Sequence, residues 1–296
     1  MKSLARGTIM ALGLTALAAS PAAARDKATF GQGARYVAMG SSFASGSGVA
    51  PYDPAAPARC QRSTQNYAHQ LAAKRNLALV DVTCGGATTA HILGAWNELP
   101  PQVEALTADT ALVTITIGGN DIGYIGGLIA GSCGGDPNSA AVAQPLCQMI
   151  AAGRRGGAAM LTATEAGWTK VGEALADIVR EIRRRAPRAR IVFVDYLTVL
   201  PDGALCSQTP LSFEAARGGR ATAARLAALT ASVARRNGAE VLPVSRLSRG
   251  RHDACAAAPW MAGFIPPDAS RGFVPYHPNL AGMTAVAEAL DRSLGR

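Results

Sequence analysis

Short apolar runs alternate along this chain with longer segments in which apolar residues recur every three or four positions. The runs predict strands at Tyr36–Met39, Leu77–Val82, Ala111–Ile117, Arg190–Asp195 and Glu240–Pro243, several of them rich in the Val and Ile of buried parallel strands. Helices are predicted over Thr64–Arg75, Pro101–Leu106, Thr164–Arg185, Ser212–Asn237 and Leu280–Leu294. In the third of these, Val171, Leu175, Ile178, Val179 and Ile182 fall on one stripe, which has to face a sheet. Strand and helix in alternation predict a three-layer α/β fold with a parallel sheet between helices. No repeat or linker divides the chain. Two stretches break the rhythm: Gly131–Gly157 and Leu197–Ser212 are rich in Gly, Pro and Ser and read as long loops at the sheet edge.

Composition narrows the class. With 296 residues, 49% of them hydrophobic, the chain has the material for a packed core, and disorder is excluded. Lys2 and Arg6 precede an apolar run from Gly7 to Ala19, followed by small residues up to Ala24. This is the pattern of a secretory signal peptide, so residues 1–24 are expected to be cleaved, leaving 25–296 as one domain. The apolar run is shorter than the roughly 20 residues that cross a bilayer, and stable membrane insertion is not expected. The formal charge of +9 is scattered in short groups such as Arg183–Arg185 at a helix end. No aromatic interleaving or binding motif accompanies it, which argues against a nucleic-acid partner.

All six cysteines follow the leader, in the part expected to be secreted or periplasmic. An even count in an oxidising compartment points to disulfides. Six cysteines allow 15 pairings, of which the sequential one closes three loops of short to medium length. Zinc has no C-x-x-C and no Cys/His pair at ligand spacing here, and neither a metal nor another cofactor is expected.

In an open α/β sheet ligands sit beyond the carboxyl ends of the strands. The first strand is followed by Gly40-Ser41-Ser42, the second by Cys84-Gly85-Gly86, and the third by Gly118-Gly119-Asn120-Asp121. Tyr276-His277-Pro278-Asn279 stands just ahead of the last helix. A hydroxyl, a glycine turn, an amide and an imidazole are the inventory of acyl transfer. A serine attacks only when a base removes its proton, and the oxyanion needs donors already aimed at it. Ser42 is the candidate nucleophile and His277 the base. The backbone N–H groups of Ser42 and Gly86 and the side chain of Asn120 are the candidate oxyanion donors. Singly each has a plainer reading, as a turn serine, a turn glycine, a helix cap or a packed loop histidine.

At these residues the sequence resembles the SGNH (GDSL-like) hydrolases, whose markers are Ser, Gly, Asn and His in that chain order. Tyr36–Ser42, Cys84–Thr89, Ile117–Asp121 and His277–Asn279 are similar to the four marker segments. The likeness is strongest to the secreted esterases and lipases of that family, which carry three disulfides. It implies the sequential pairing Cys60–Cys84, Cys133–Cys147 and Cys206–Cys255. It also implies a flavodoxin-like sheet of five parallel strands in order 2-1-3-4-5. Two positions depart from the pattern. Ser41 stands where the family usually has Asp, making it a rival nucleophile. Val274 stands three residues before the histidine, where members with a full triad have Asp. A subset of the family works with a Ser-His dyad whose imidazole is oriented by a backbone carbonyl, and the carbonyl of Val274 is the candidate here, with Asp268 as the nearest upstream carboxylate.

The reading is a monomeric secreted serine esterase or lipase acting on a small-molecule or lipid ester. A carbohydrate acetylesterase and a non-catalytic binding protein on the same fold are the alternatives. An α/β-hydrolase elbow would need G-x-S-x-G, which Gly40–Ala44 lacks, and no phosphate-binding glycine motif is present. Aromatic residues make up 5% of the chain, which disfavours a sugar-stacking platform. Leu128, Ile129, Trp260, Met261, Phe264 and Ile265 are candidates to line an acyl pocket or to belong to the core.

Overall fold

In the computed structural model, the structure describes residues 1, 30–134, 147–148, 152, 163–265 and 273–295. The leader, most of the first long loop and Asp268 lie outside them. Five strands, β1 (Arg35–Gly40), β2 (Ala78–Asp81), β3 (Thr110–Thr116), β4 (Arg190–Val194) and β5 (Glu240–Leu242), form one sheet in the order β2-β1-β3-β4-β5, all parallel. β4 is buried along its whole length, as its sequence RIVFV requires of a strand covered on both faces. The order reverses between β1 and β3, so the segments leaving the carboxyl tips of these two strands flank the crevice of a doubly wound sheet.

Helices cover the sheet. α1 (Ser42–Ser45) is a single turn after β1, and α2 (Tyr67–Arg75) packs beside the terminal helix α8 (Leu280–Leu294). α3 (Thr89–Leu93) packs against α5 (Glu165–Arg185), α5 against α6 (Phe213–Arg236) and α6 against α4 (Tyr124–Ser132), and a short α7 (Val244–Ser248) follows β5. The apolar stripe of α5 is buried as expected, with Trp168 extending it. Side chains terminate the long helices where polar residues precede the apolar pattern. Asn66 accepts from Ala68 and His69, Thr164 from Gly167, Ser212 from Ala215 and Asn279 from Gly282. α2 therefore starts three residues later than its pattern suggested.

The segment Pro101–Leu106 is one 3-10 turn, Gln102–Ala105, rather than an α-helix, since Pro100 and Pro101 leave too little chain to propagate one. The stretch Gly131–Gly157 is not loop from its start, because Gly131 and Ser132 close α4. Residues 197–212 are irregular, as expected. The disulfides are Cys60–Cys84, Cys133–Cys147 and Cys206–Cys255. Among the described residues no helix is long and apolar enough to cross a membrane.

Candidate active site

β1 leads directly into the candidate nucleophile. At Gly40 the backbone adopts φ 135°, and any Cβ there would overlap the Thr116 carbonyl oxygen of β3, so the turn out of the strand needs glycine. Ser41 N–H donates to that same carbonyl at 2.9 Å, and α1 begins at the next residue. The two serines then separate in role. Ser41 is 1% exposed, its hydroxyl 3.5 Å from both the Thr116 carbonyl and the Tyr196 hydroxyl. Ser42 is partly exposed, and its Oγ lies 2.8 Å from Nε2 of His277. Only Ser42 meets the imidazole.

The other ring nitrogen of His277, Nδ1, lies 2.8 Å from the Pro275 carbonyl oxygen. A carbonyl can only accept, so the proton sits on Nδ1 and Nε2 presents a lone pair to the serine O–H. Burial of the ring lowers its pKa from 6.5 to about 4, with the Pro275 carbonyl working in the opposite direction. The base is therefore neutral through the physiological range. The orienting acceptor differs from the expected Val274: it is one residue nearer the histidine. Tyr276 has φ 58°, which folds the chain back so that the carbonyl two residues upstream, not three, reaches Nδ1. A left-handed conformation at a bulky aromatic residue costs on the order of 1–3 kcal/mol and persists only where surrounding contacts enforce it.

The glycine turn is held from both sides. Cys84 N–H donates to the Gly40 carbonyl at 3.1 Å, and the disulfide to Cys60 fixes the same residue. Gly86 is exposed, with φ 83°, and its N–H makes no hydrogen bond to the described residues. It is free to donate to a substrate oxyanion. The ring of Trp96 flanks Gly86, stacked on His91 at 4.2 Å between ring centres. Asn120 joins this turn to the end of β3: its amide donates to the Ala87 carbonyl at 2.8 Å, which uses one of two N–H groups and fixes the direction of the other. Asp121 accepts from the backbone and hydroxyl of Thr89 at the start of α3, so its carboxylate serves the scaffold.

Two residues contribute that the sequence did not single out. The side chain of Gln102, 5% exposed, brackets Gly40: its Oε1 accepts from Gly40 N–H at 2.7 Å and its Nε2 donates to the Gly40 carbonyl at 3.1 Å. β2 ends at Asp81, paired with Ala38; beyond it Cys84 reaches the Gly40 carbonyl, and Gln102 supplies the acceptor for Gly40 N–H. Tyr196 accepts from Gly119 N–H at 2.9 Å and packs its ring on Phe43, which in turn faces His277. Of the apolar candidates, Leu128, Met261 and Phe264 are core residues, Ile129 and Ile265 pack partly buried against the core, and Trp260 lies flat on His252.

The chain is similar to known proteins along most of its length. A family model described as GDSL-like lipase/acylhydrolase matches residues 38–285. Lipase 2 of Streptomyces coelicolor is 36% identical over 97% of this chain and 93% of its own. Among solved structures, the extracellular lipase of Streptomyces rimosus superposes with a TM-score of 0.67 at 26% identity, covering 87% of this chain and 98% of its own. A phospholipase A1 from Streptomyces albidoflavus shares the fold at the same TM-score of 0.67 and 22% identity, over 88% of this chain and 99% of its own. From the nucleophile turn to the terminal helix, the chain belongs to the GDSL-like lipase/acylhydrolase family.

Proposed function

We propose that the protein hydrolyses carboxylic esters through an acyl-enzyme on Ser42. His277 Nε2 takes the Ser42 proton as Oγ attacks the ester carbonyl, and the resulting oxyanion rests on the N–H groups of Ser42 and Gly86 and the free N–H of Asn120. Collapse breaks the ester C–O bond, and the alcohol leaves with the proton from His277. Water, deprotonated by the same imidazole, then attacks the acyl carbon and releases the acid and the serine. The single observation that carries this reading is the 2.8 Å contact between Ser42 Oγ and a histidine whose other nitrogen is already committed to a carbonyl. Among the described residues no carboxylate bonds to the imidazole, and the dyad holds its tautomer through the Pro275 carbonyl.

The leader and three disulfides support export before activity. The relatives named as lipases support an ester of a lipid or another small acyl alcohol as substrate. Protein lacking residues 1–24 is expected to hydrolyse p-nitrophenyl esters and to be labelled at Ser42 by a serine-directed phosphonate. Retention of hydrolysis in Ser42→Ala would overturn the assignment. A series of acyl lengths reads the chain preference directly.

A further inference from the structure

A charged orienting group can hold an imidazole over a range of geometries, whereas a neutral carbonyl must be delivered to the right place by the chain that carries it. Here that chain is Pro275-Tyr276-His277, and its shape depends on one residue. Tyr276 has φ 58° yet is fully buried, with its hydroxyl 2.5 Å from Ser132 Oγ and its ring against Phe264. The backbone on either side is tied to residues 260–263. Tyr276 N–H donates to the Gly263 carbonyl at 3.2 Å, Ala262 N–H to the His277 carbonyl at 2.8 Å, and Asn279 N–H to the Trp260 carbonyl at 3.0 Å.

We propose that Tyr276 is a positioning residue for the dyad: its ring, anchored through Ser132, holds the left-handed turn that presents the Pro275 carbonyl to His277 Nδ1. The inference rests on the hydrolase reading above and deepens it. Ser132 is the last residue of α4, and the first residue of that helix, Tyr124, donates its N–H to the Gly119 carbonyl beside Asn120. One nine-residue helix thus sets the amide donor at one end and the anchor of the base at the other. The adjoining Cys133 is bonded to Cys147, which fixes the anchored end. The ring of His277 is bounded by Ser42, Phe43 and Pro275, and no charged side chain among the described residues orients it.

The test uses the mature chain with Tyr276→Phe, Ser132→Ala and the double variant, measuring kcat and KM for p-nitrophenyl butyrate across pH, with thermal unfolding alongside. Each single variant should lose about tenfold to a hundredfold in kcat, as displaced catalytic groups do, while KM stays within about twofold. The double variant should lose no more than the worse single one, because both remove the same bond. The acid limb of kcat/KM should move to lower pH, since the Pro275 carbonyl raises the basicity of His277. Unchanged kcat in both single variants would overturn the inference. So would a loss of kcat with the acid limb unmoved, which marks general destabilisation. Ser42→Ala run in parallel separates the two levels: if it stays active the hydrolase reading fails, and if it is dead while Tyr276→Phe is normal only the positioning role fails.

Discussion

The acid side of the pH profile is where this site differs most from a solvent-exposed histidine. His277 is 7% exposed and its pKa falls from 6.5 to about 4, burial being the main cause. A lowering of that size corresponds to about 3 kcal/mol favouring the neutral ring in the folded protein. As the base works only when neutral, kcat/KM should stay flat from neutrality down to about pH 5 and be halved near pH 4. Quenched assays with p-nitrophenyl butyrate, the product read after adding alkali, give that profile without interference from nitrophenol ionisation. The same shift enters stability with a definite sign. The unfolded histidine takes up a proton near 6.5 and the folded one not until about 4, so its contribution is fully present above 6.5 and is lost as pH falls towards 4. His277→Gln should remove this dependence, amounting to about 3 kcal/mol between those limits. A midpoint in kcat/KM at or above 6.5, or identical stability curves for His277→Gln and the parent, would refute the argument.

Asn120→Ala should lower kcat by about a hundredfold to a thousandfold, as loss of one oxyanion donor does, with smaller change in KM, measured by steady-state kinetics. Gln102→Met keeps the volume but strands the buried Gly40 N–H, which should cost about 1–3 kcal/mol in urea unfolding and lower kcat through the nucleophile turn. Asp195, pushed up to about 6 by burial and bonded to Ser245, favours folding below its ordinary 3.8 and loses that contribution as pH rises through 6. In Asp195→Asn this opposing slope should vanish, leaving stability rising more steeply with pH between about 4 and 6 in denaturant titrations.

The sheet was legible because β1, β3 and β4 are buried on both faces and therefore read as largely apolar runs, most plainly the RIVFV of β4, and α5 because its stripe contrasts with a charged outer face. α4 escaped notice for the opposite reason: Gly126, Gly127 and Gly131 argue against a helix, and its remaining positions are apolar nearly all round. Ser42, Gly86 and Asn120 stood out because each follows a strand, and His277 because it stands just ahead of the last helix, each with a residue type suited to acyl chemistry. Gln102 could not stand out, since its meaning lies in a peptide group 62 positions away. The acceptor for His277 was placed one residue too early because nothing local announces a left-handed tyrosine. That conformation is imposed by Ser132 and the segment 260–263, which are tertiary partners.

The two atoms of the dyad come from residues 235 positions apart. A polypeptide leaving the ribosome or crossing a membrane with its amino end first therefore carries the proposed attacking group long before the residue proposed to activate it. If the proposed dyad does the chemistry, a fragment ending before residue 277 is inactive, and hydrolytic output reports on molecules complete to that point. The long contact also has a kinetic face, because pairings so remote along the chain close late and slow the approach to the native state.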